Sequence, residues 1–538
     1  MAEREWTPDQ KNAIEARGGT LLVSAAAGSG KTAVLVERVV QRLLDPINGC
    51  DADRLLVVTF TKAAAAEMRE RISAALSARL AARPDDARLL RQQMLLPCAA
   101  ICTIDSFCND LVRENFHRLD LAPDYKILDA GELTLLRSEA MDIAMEEFYQ
   151  KGDPAFTELL ELVRKGRDDA ELTETVSRLY DYTQAYPFPE EWIQHARALC
   201  RADLPEQENP WMAEIRAYLA QALAFAQHTA QSARALLETE PALCEKYAPA
   251  FDSDLNALTR VQAALTGGWD ALCDALNAIS FVRMPNAPRE YANSPIKAAA
   301  KESRDRVKDT VKKMQESLCA NAAENAEDMA YLAPLLNQLF DLTLRFSEEF
   351  TRLKRGRHAA DFSDIEHMAL SLLVERKGGT LCRSPLAQEL SARYEEILVD
   401  EYQDTNEAQD LLFRMLSREE SNLFLVGDVK QSIYRFRQAM PEIFLHRRNR
   451  LPPYVRGNYP ARITLGCNFR SRKGVTGMVN FLFRQLMSRQ LGEMEYTQEE
   501  ALVPAAPYPE RQDPDCEIHL LDAGDCLLYT SDAADDRI

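Results

Sequence analysis

The feature that most constrains this chain is the stretch TLLVSAAAGSGKTAVLVERVV at residues 20–40. It opens with an apolar run that stops at a cluster of small residues, which predicts a short buried strand. Beyond the cluster, Val34, Leu35 and Leu43 fall on or near one helical face, which predicts an amphipathic helix. A strand, a small-residue loop and a helix in this order are typical of a phosphate-binding loop in an α/β sheet.

The loop carries the chemistry that binding a nucleotide requires. Small residues let the backbone wrap closely, so that its amide groups and the following helix N-terminus can surround phosphate oxygens. Lys31 would reach the terminal phosphates, and Thr32 would hold Mg²⁺. The alternative is an ordinary glycine-rich turn. The predicted ATP-binding residues of the loop are Ala25, Ala26, Ala27, Gly28, Ser29, Gly30, Lys31 and Thr32, with Ala25 in the place of the usual first glycine.

The composition indicates a globular protein of several domains. Of its residues, 46% are hydrophobic and 28% are charged. The length of 538 residues is too great for one core, so roughly two to four domains are expected. No apolar run reaches membrane-spanning length, and the charged start MAEREWTPDQ does not resemble a secretory signal. The twelve cysteines are scattered and lack zinc-site spacing. We therefore expect a cytoplasmic protein with reduced thiols and no membrane association.

The net charge of −20 argues, taken alone, against nucleic acid as a partner. Net charge is a weak guide for a large chain, however, because a local basic channel is sufficient. Two stretches could supply one, TRLKRGR at residues 351–357 and YRFRQAMPEIFLHRRNR at residues 434–450. Charge alone leaves a solvated surface open as the alternative for both stretches.

Five further apolar runs predict strands, and most are near-continuous, as in parallel sheets covered on both faces. They are RLLVVTF (54–60), AAICTIDSF (99–107), EEILVDE (395–401), NLFLVGD (422–428) and RITLGCNF (462–469). Helical stretches separate them, which predicts a doubly wound α/β domain with ligands at the carboxyl ends of its strands. Residues 128–357 have helical periodicity instead, which predicts an inserted helical domain. In ADFSDIEH, Ser363 and Glu366 have capping-box spacing and predict the start of a helix.

Two later stretches extend the candidate site. Asp400 and Glu401 end a predicted strand in ILVDEYQDTNEAQ. In a chain with a phosphate loop, Asp400 would hold Mg²⁺ through water, and Glu401 would orient and deprotonate the attacking water. The stretch LVGDVKQSIYRFR alternates aromatic and arginine residues, which suits a surface that stacks single-stranded bases. The alternative is that Tyr434 and Phe436 are core residues of a following helix.

Together these stretches resemble, in order, the motifs of superfamily 1A helicases, which have two RecA-like motor domains. TPDQ resembles the Q motif, AAAGSGKT motif I, VVTFTKAAAAEMRERI motif Ia and TIDSF motif Ib. VDEYQDT resembles motif II, VGDVKQSIYRFR motif III and LGCNFRSR motif IV. SAAAGSGKT, TIDSFC and DEYQDTNEAQ, with the long helical insertion, are similar to the AddA branch, the helicase–nuclease subunits of bacterial AddAB enzymes.

The resemblance implies an ATP-dependent helicase that moves 3′ to 5′ along single-stranded DNA and unwinds double-stranded DNA in double-strand break repair and recombination. It implies ATP and Mg²⁺ as cofactors and, as a partner, an AddB-type protein. Gln10 would read adenine, Gln431 would sense the terminal phosphate, and Arg470 would be an arginine finger. The implied catalytic residues are Lys31, Asp400, Glu401, Gln431 and Arg470, and the implied DNA contacts are Phe60, Thr61, Ser106, Tyr434, Phe436 and Arg437.

The fold class expected from the resemblance is α/β, a RecA-like P-loop parallel sheet with a large inserted all-helical domain and the start of a second RecA-like domain. The first motor domain would comprise residues 1–127 and 358–455, the inserted domain 128–357, and the second motor domain would begin at 456–525. Motifs V and VI and the family's nuclease domain would lie further on, so we expect an N-terminal part of an enzyme with little DNA-stimulated ATPase of its own. Residues 526–538 match no pattern of the family and predict a non-native tail.

Two other functional interpretations stay open. A stand-alone UvrD- or Rep-type helicase would share the same motifs, although the long insertion and the motif details disfavour it. A DNA-binding ATPase module without unwinding activity is the other alternative, and the intact Lys31 and Glu401 argue against a degenerate motor.

Overall fold

A computed structural model describes residues 5–119, 121–166, 168–287, 289–291, 293–318, 320–509 and 513–519. The described residues form two compact units. The first unit draws on residues 1–136, 181–189 and 351–538, and the second on residues 137–180 and 190–350. The predicted non-native tail at 526–538 lies outside the described residues.

A six-stranded parallel sheet forms the centre of the first unit. Its strands are β1 (Leu21–Ala25), β2 (Leu55–Thr59), β3 (Ala100–Thr103), β4 (Glu396–Val399), β5 (Leu423–Gly427) and β6 (Ala461–Leu465). The spatial order is β6-β1-β5-β4-β2-β3, and Leu21 of β1 pairs with Phe424 on one side and Ala461 on the other. This architecture confirms the expected α/β class. The order also brings the carboxyl ends of β1, β5 and β4 side by side, so residues that follow these three strands can contribute to one ligand site at that edge.

Both faces of this sheet are buried, as the near-continuous apolar runs predicted. Successive side chains of a strand point to opposite faces. Accordingly, Leu22 and Leu56 pack in one hydrophobic cluster, whereas their neighbours Leu21 and Val57 pack in another. Helices cover the two faces, as in other doubly wound sheets. The helices of this unit are Pro8–Glu15, Lys31–Leu44, Lys62–Ala82, Ala87–Leu95, Ile104–Glu114, Phe362–Leu373, Pro385–Arg393, Glu407–Leu416, Pro441–Arg450, Lys473–Leu486 and Arg489–Gly492.

Short strand pairs complete the first unit. Lys126–Ile127 pairs with Ala359–Ala360, and Val374–Lys377 forms a hairpin with Thr380–Arg383. Cys467–Asn468 pairs with Val503–Pro504. These pairs lie outside the six-stranded sheet, so they position loops around it and do not extend it.

Two local predictions were wrong, each because a side-chain cap acts earlier than expected. The run at 99–107 was predicted as one strand, but the strand ends at Thr103, whose hydroxyl accepts from the N–H of Ser106 and starts a helix. The capping box near residue 363 is formed by Asp361 and Asp364, not by Ser363 and Glu366. Glu366 is buried instead.

The strand β6 lies in the central sheet beside β1. Its residues 461–465 were expected to lie in the start of a second motor domain, but in this structure the segment belongs to the first sheet. The other expected domain boundaries stay predictions.

The second unit is helical and has its own buried clusters. Trp269, Leu223 and Val307 belong to one of them. A buried ion pair joins Arg304 Nε and Asp254 Oδ2 at 2.6 Å. The helices that lie wholly or partly in this unit are Ala130–Lys151, Pro154–Val163, Ala170–Thr183, Pro189–Leu199, Pro210–Leu237, Pro241–Ala264, Trp269–Asn277, Pro295–Ser317 and Ala322–Gly356. None of the helices in the described part of the chain has the length and apolarity to cross a membrane.

Candidate functional site

The predicted phosphate loop connects the end of β1 to the helix Lys31–Leu44. Gly28 and Gly30 have φ angles of +69° and +85°, a region that favours glycine. A Cβ atom at Gly28 would also lie 2.7 Å from Asn468 Nδ2 and 2.9 Å from Arg470 Cβ. Glycine is therefore required at position 28 both by its backbone conformation and by the close approach of the 468–470 segment.

The segment after β6 is hydrogen-bonded directly to the loop. Asn468 Nδ2 donates to the carbonyl of Ala27 at 2.7 Å, and the N–H of Phe469 donates to the carbonyl of Gly28 at 2.9 Å. Asn468 Oδ1 accepts from the N–H of Arg470 at 3.0 Å, which fixes the turn. These bonds place Arg470, the residue expected to be an arginine finger, beside the phosphate loop with its side chain exposed.

Gln10 is held by the protein at both ends of its amide. Its Oε1 accepts from the N–H of Thr7 at 3.0 Å, and its Nε2 donates to the carbonyl of Ser29 at 2.9 Å. The side chain is 3% exposed. These two contacts use one N–H hydrogen and one oxygen lone pair of the amide, which leaves one of each for the bidentate adenine contact expected for Gln10, and that role stays a prediction.

The acidic pair lies next to the phosphate-loop lysine. Lys31 Nζ is 2.8 Å from Glu401 Oε2, and Glu401 has a φ angle of +51°, which is uncommon outside glycine. Burial raises the pKa of Asp400 to about 6, and the charge of Glu401 adds to this shift while Lys31 opposes it. The structure thus brings Lys31 to the acidic pair, although 370 residues separate Lys31 from Glu401.

Gln403 joins the acidic pair to the segment that follows β5. Its Nε2 donates to Glu401 Oε2 at 2.9 Å and to Asp404 Oδ2 at 3.0 Å, and its Oε1 accepts from the N–H of Asp428 at 2.9 Å. Asp428 Oδ2 in turn accepts from Gln431 Nε2 at 2.6 Å. The amide of Gln431, which we expected to sense a terminal phosphate, is therefore bound by Asp428 in this structure.

Buried charges continue from Asp428 towards residue 500. Lys430 Nζ is 2.9 Å from Asp428 Oδ1 and 2.8 Å from Glu500 Oε2, and Arg448 Nη1 is 2.5 Å from Glu500 Oε1. Burial acts to lower the pKa of Lys430, but the two carboxylates outweigh it and raise that pKa above its usual value. This network fixes the segment that carries Gln431.

Three aromatic rings and an arginine form a patch, which we call the aromatic platform: Phe60, Tyr434, Phe436 and Arg437. Phe436 and Arg437 are exposed, and Phe60 and Tyr434 are half-buried. The ring centroids of Phe60 and Tyr434 are 4.5 Å apart, and those of Tyr434 and Phe436 are 5.7 Å apart. Arg437 Cζ lies between 5.6 and 5.8 Å from all three ring centroids. Phe436 is 74% exposed in a one-turn 3₁₀ segment, so it is not the core residue that the alternative interpretation required.

The other two expected DNA contacts lie at helix starts, where Thr61 is the N-cap of one helix and Ser106 lies in the first turn of another. The hydroxyl of Thr61 accepts from the N–H of Ala64 at 3.1 Å, and Thr61 is exposed. The hydroxyl of Ser106 lies 2.9 Å from that of Thr103 at the start of the helix Ile104–Glu114. Both residues follow strands of the central sheet, and their contact with DNA stays a prediction.

Much of the positive charge in the two basic stretches is neutralised within the protein. Lys354 is buried, with its Nζ 2.9 Å from Asp361 Oδ2 and 2.7 Å from Asp364 Oδ2. Arg447 lies 2.7 Å from Glu420 and 3.0 Å from Asp410. These two residues are therefore used in ion pairs within the protein, which neither a DNA channel nor a solvated surface had predicted.

The sequence interpretation missed four residues that organise the site. Gln403 and Asp428 lie within stretches that were quoted as motifs, so their position beside charged residues was the available signal. Asn468 lies two residues before the predicted arginine finger. Glu500 had no local signal, because its partners Lys430 and Arg448 are distant in sequence.

Comparisons with known proteins agree with this arrangement. Residues 6–452 match the sequence model described as the UvrD/REP helicase N-terminal domain. The A subunit of an ATP-dependent helicase/nuclease from Moorella thermoacetica is 40% identical over 521 residues, which cover 94% of this chain and 37% of that protein. The protein of the same name from Geobacillus kaustophilus is 39% identical, and the match covers 97% of this chain and 42% of that protein. The one from Acetivibrio thermocellus is 38% identical, and the match covers 98% of this chain and 43% of that protein. The chain spans about two-fifths of the length of these curated relatives. With a family match that covers most of its length and the motifs assembled on one parallel sheet, the chain belongs to the UvrD/REP helicase family.

Proposed function

We propose that this chain binds ATP at the loop of residues 25–32 and couples its hydrolysis to 3′ to 5′ movement along single-stranded DNA. The observation that carries the proposal is the distance of 2.8 Å between Lys31 Nζ and Glu401 Oε2. The cation of the loop and the candidate general base follow two different strands of the sheet, and this distance shows that they meet at one point. Phosphoryl transfer requires such a pair of groups at the same place.

Each residue around this point has a role that its position supports. Lys31 would leave Glu401 to contact the terminal phosphates, which would free the Glu401 carboxylate to orient and deprotonate the attacking water. Gln431 would exchange Asp428 for the terminal phosphate. Arg470, held beside Gly28, would stabilise charge on the transferred phosphoryl group.

The oxygen donors at the site fit Mg²⁺, which prefers one or two protein ligands together with substrate phosphates. Thr32 lies in the first turn of the helix after the loop, and Asp400 supplies a buried carboxyl group. The hydroxyl of Ser29 is buried and has no hydrogen-bond partner among the described residues, as expected for a loop that accepts a polar ligand. When bound, Mg²⁺ would neutralise charge on the phosphate oxygens.

The aromatic platform would carry the single strand. Base–aromatic stacking contributes about 1–3 kcal/mol per base and tolerates any sequence, which suits a motor that must move along the strand. Arg437 would add a cation–π contact to the rings and attract the phosphate backbone.

We further propose that these residues are the motor part of a helicase–nuclease subunit that works with an AddB-type partner in double-strand break repair and recombination in the cytoplasm. The names and the similarity of the curated relatives support this assignment. The chemistry of a nuclease is not proposed for any residue of this chain.

The first test is equilibrium binding of AMPPNP with Mg²⁺, a nucleotide that is not hydrolysed. We expect Lys31→Ala to weaken binding by about tenfold or more, because the terminal phosphates lose the loop cation. Lys377→Ala is the matched control, since Lys377 is an exposed lysine of the same unit that pairs only with Glu375 among the described residues. Glu401→Gln should keep AMPPNP binding and reduce any ATP turnover of the parent to background.

Two results would contradict the proposal. One is unchanged AMPPNP affinity in Lys31→Ala, which would remove the loop from the nucleotide site. The other is parental ATP turnover in Glu401→Gln, which would remove Glu401 from the chemistry.

A further inference from the structure

A cavity of about 570 Å³ lies in the first unit, away from the phosphate loop. Four arginines line it: Arg17, Arg79, Arg83 and Arg88. The helix Lys31–Leu44 begins at the loop and reaches the cavity with its last residue. Its 14 residues span about 21 Å at about 1.5 Å per residue. The cavity is therefore separate from the proposed ATP site, and a nucleotide bound at the loop would not fill it.

Helix ends around the cavity account for part of this arginine cluster. Arg17 Nη1 donates to two backbone carbonyls at the end of the helix Pro8–Glu15, at 2.7 and 2.9 Å. Arg88 Nε donates to the carbonyl of Leu43 at 2.7 Å. Cations are favourable at the C-terminal ends of helices. These contacts use only part of each guanidinium, which has several further N–H donors.

Two of the four arginines keep donors without an acceptor in the protein. Arg17 Nε is buried and has no hydrogen-bond partner among the described residues. The pKa of Arg17 is lowered to about 10, because burial and the charges of Arg38 and Arg42 outweigh the nearby carboxylates. Arg83 is exposed and makes no ion pair or side-chain hydrogen bond within the described part of the chain. The protein thus leaves positive charge at the cavity that an anion would neutralise.

Three carboxylates also line the cavity, and two of them are already used by the backbone. Asp45 Oδ1 accepts from two backbone N–H groups at 2.9 and 3.0 Å. Asp86 Oδ1 accepts from two others at 3.0 and 3.1 Å. Glu15 is exposed and is the third carboxylate. Repulsion of an anion in the cavity would therefore come chiefly from Glu15.

From these observations we propose that the cavity is a second anion site, which takes a small ligand with phosphate groups. Guanidinium groups bind phosphate oxygens bidentately, and Arg17 and Arg83 have the donors to do so. The volume is within the range of about 300–1,000 Å³ that is usual for small-molecule sites. Leu44 and Leu89 also line the cavity and would contact an apolar part of the ligand. The site does not depend on the proposed function of the loop.

Inorganic pyrophosphate is the probe, titrated by isothermal titration calorimetry into the full chain with Lys31→Ala. This background weakens the proposed loop site, so that heat from pyrophosphate reports binding elsewhere. Mg²⁺ is left out, and the ionic strength is kept at a physiological value so that weak surface binding is screened. We expect one site per chain with a Kd below about 1 mM.

Two arginine variants in this background locate the site. Arg17→Gln should weaken pyrophosphate binding by about tenfold or more, and Arg83→Ala by about fivefold or more, because each removes a cation that contacts the ligand. Arg83→Ala also covers the case in which Arg17→Gln does not fold, since the side chain of Arg83 is exposed. Arg71→Ala is the matched control, because Arg71 lies on the helix that ends just before Arg83, is exposed and pairs with Glu67. It should change the affinity by less than about twofold.

Glu15→Gln tests the sign of the effect. It removes the carboxylate that would repel the ligand, so pyrophosphate should bind about twofold or more tighter. Citrate, titrated in the same way, distinguishes a phosphate ligand from a carboxylate ligand and should bind more weakly than pyrophosphate.

The proposal is overturned if pyrophosphate does not bind to Lys31→Ala, or if Arg83→Ala and Arg71→Ala bind it equally well. A citrate affinity equal to or above that of pyrophosphate would overturn the assignment to phosphate. Weaker binding in Glu15→Gln would place the bound anion outside the cavity. These titrations do not use the phosphate loop, so a failure of AMPPNP binding in the parent would contradict the proposed function and leave this site standing.

Discussion

Glu366 is a carboxylic acid that folding removes from water. It lies in the helix Phe362–Leu373 and is 8% exposed, with one hydrogen bond from Gln409. Burial raises its pKa from 4.5 to about 8, and the nearby charge of Asp105 adds to the shift. Within that pH window the folded protein keeps a proton that the unfolded chain has released. The stability contribution of Glu366 therefore falls as pH rises from 4.5 to about 8.

Glu366→Gln should remove this pH dependence. The amide keeps an oxygen for Gln409 and has no charge to bury, so the variant should exceed the parent in stability at pH 8 and match it near pH 5. One pKa unit corresponds to about 1.4 kcal/mol, so the difference at pH 8 is on the order of a few kcal/mol. Denaturant unfolding at both pH values measures it, with Glu375→Gln on the exposed hairpin as control. If the free energies of unfolding of parent and Glu366→Gln differ by the same amount at pH 5 and at pH 8, Glu366 does not titrate between these pH values.

Single site residues were predictable where the chemistry leaves a local pattern. Lys31 follows a small-residue loop and Asp400 ends an apolar run, so the sequence indicated both. Gln403 lies in a quoted motif beside charged residues, but no local pattern indicates its partners, because they follow two different strands and include a backbone N–H. The motif assigned Gln10 to adenine but did not indicate the contacts of its amide with Thr7 and Ser29, and the adenine contact stays a prediction.

Among the elements, the existence and approximate position of each buried strand were predictable, whereas the exact residues at which the strands end were not. An apolar run reports burial on both faces of a sheet, but capping decides where a strand gives way to a helix. In AAICTIDSF apolar residues recur after Thr103, as Ile104 and Phe107, yet the Thr103 hydroxyl starts a helix. The strand that pairs with β6 could not be predicted from the sequence either, because its partner β1 lies more than four hundred residues earlier in the chain.

The helix Pro241–Ala264 carries two aspartates that form ion pairs in different environments. Asp254 pairs with Arg304 at 2.6 Å, with side chains 1% and 2% exposed. Asp252 pairs with Arg234 at 3.0 Å, with side chains 52% and 25% exposed. Removing one partner of a buried pair leaves an uncompensated charge, which costs about 3–5 kcal/mol, whereas exposed pairs contribute about 0–1 kcal/mol.

Asp254→Asn should therefore destabilise the second unit far more than Asp252→Asn, although the two residues are neighbours on one helix. Amide hydrogen exchange in Pro241–Ala264 and Pro295–Ser317 measures this locally, which matters in a protein with two units. Protection in these helices should fall sharply for Asp254→Asn and stay near parental for Asp252→Asn. Similar losses in both variants would mean that burial does not set the strength of these pairs.

For the whole molecule, a net charge of −20 disfavours binding to DNA phosphates, and a DNA partner is nevertheless proposed. The positions of the arginines resolve this conflict. In residues 434–450, Arg435 is 2.5 Å from Glu442, Arg447 contacts Asp410 and Glu420, and Arg448 contacts Glu500. These arginines are used to hold the protein together. Arg437 lies over the aromatic rings and has no carboxylate within ion-pair distance among the described residues. Affinity for a single strand should therefore come more from stacking than from phosphate neutralisation.

This balance predicts a weak salt dependence of single-strand binding. Each neutralised phosphate contributes a slope of about −0.7 to log K against log salt, so one to three contacts give a slope between about −0.7 and about −2. Fluorescence anisotropy of labelled dT20 over a range of NaCl concentrations measures it. Arg437→Ala should make the slope shallower by about one contact, whereas Arg435→Ala, two residues away and paired with Glu442, should leave it unchanged. A slope of about −5 or steeper would require the paired arginines to exchange their carboxylates for phosphates, and the platform would then be an electrostatic groove instead of a stacking surface.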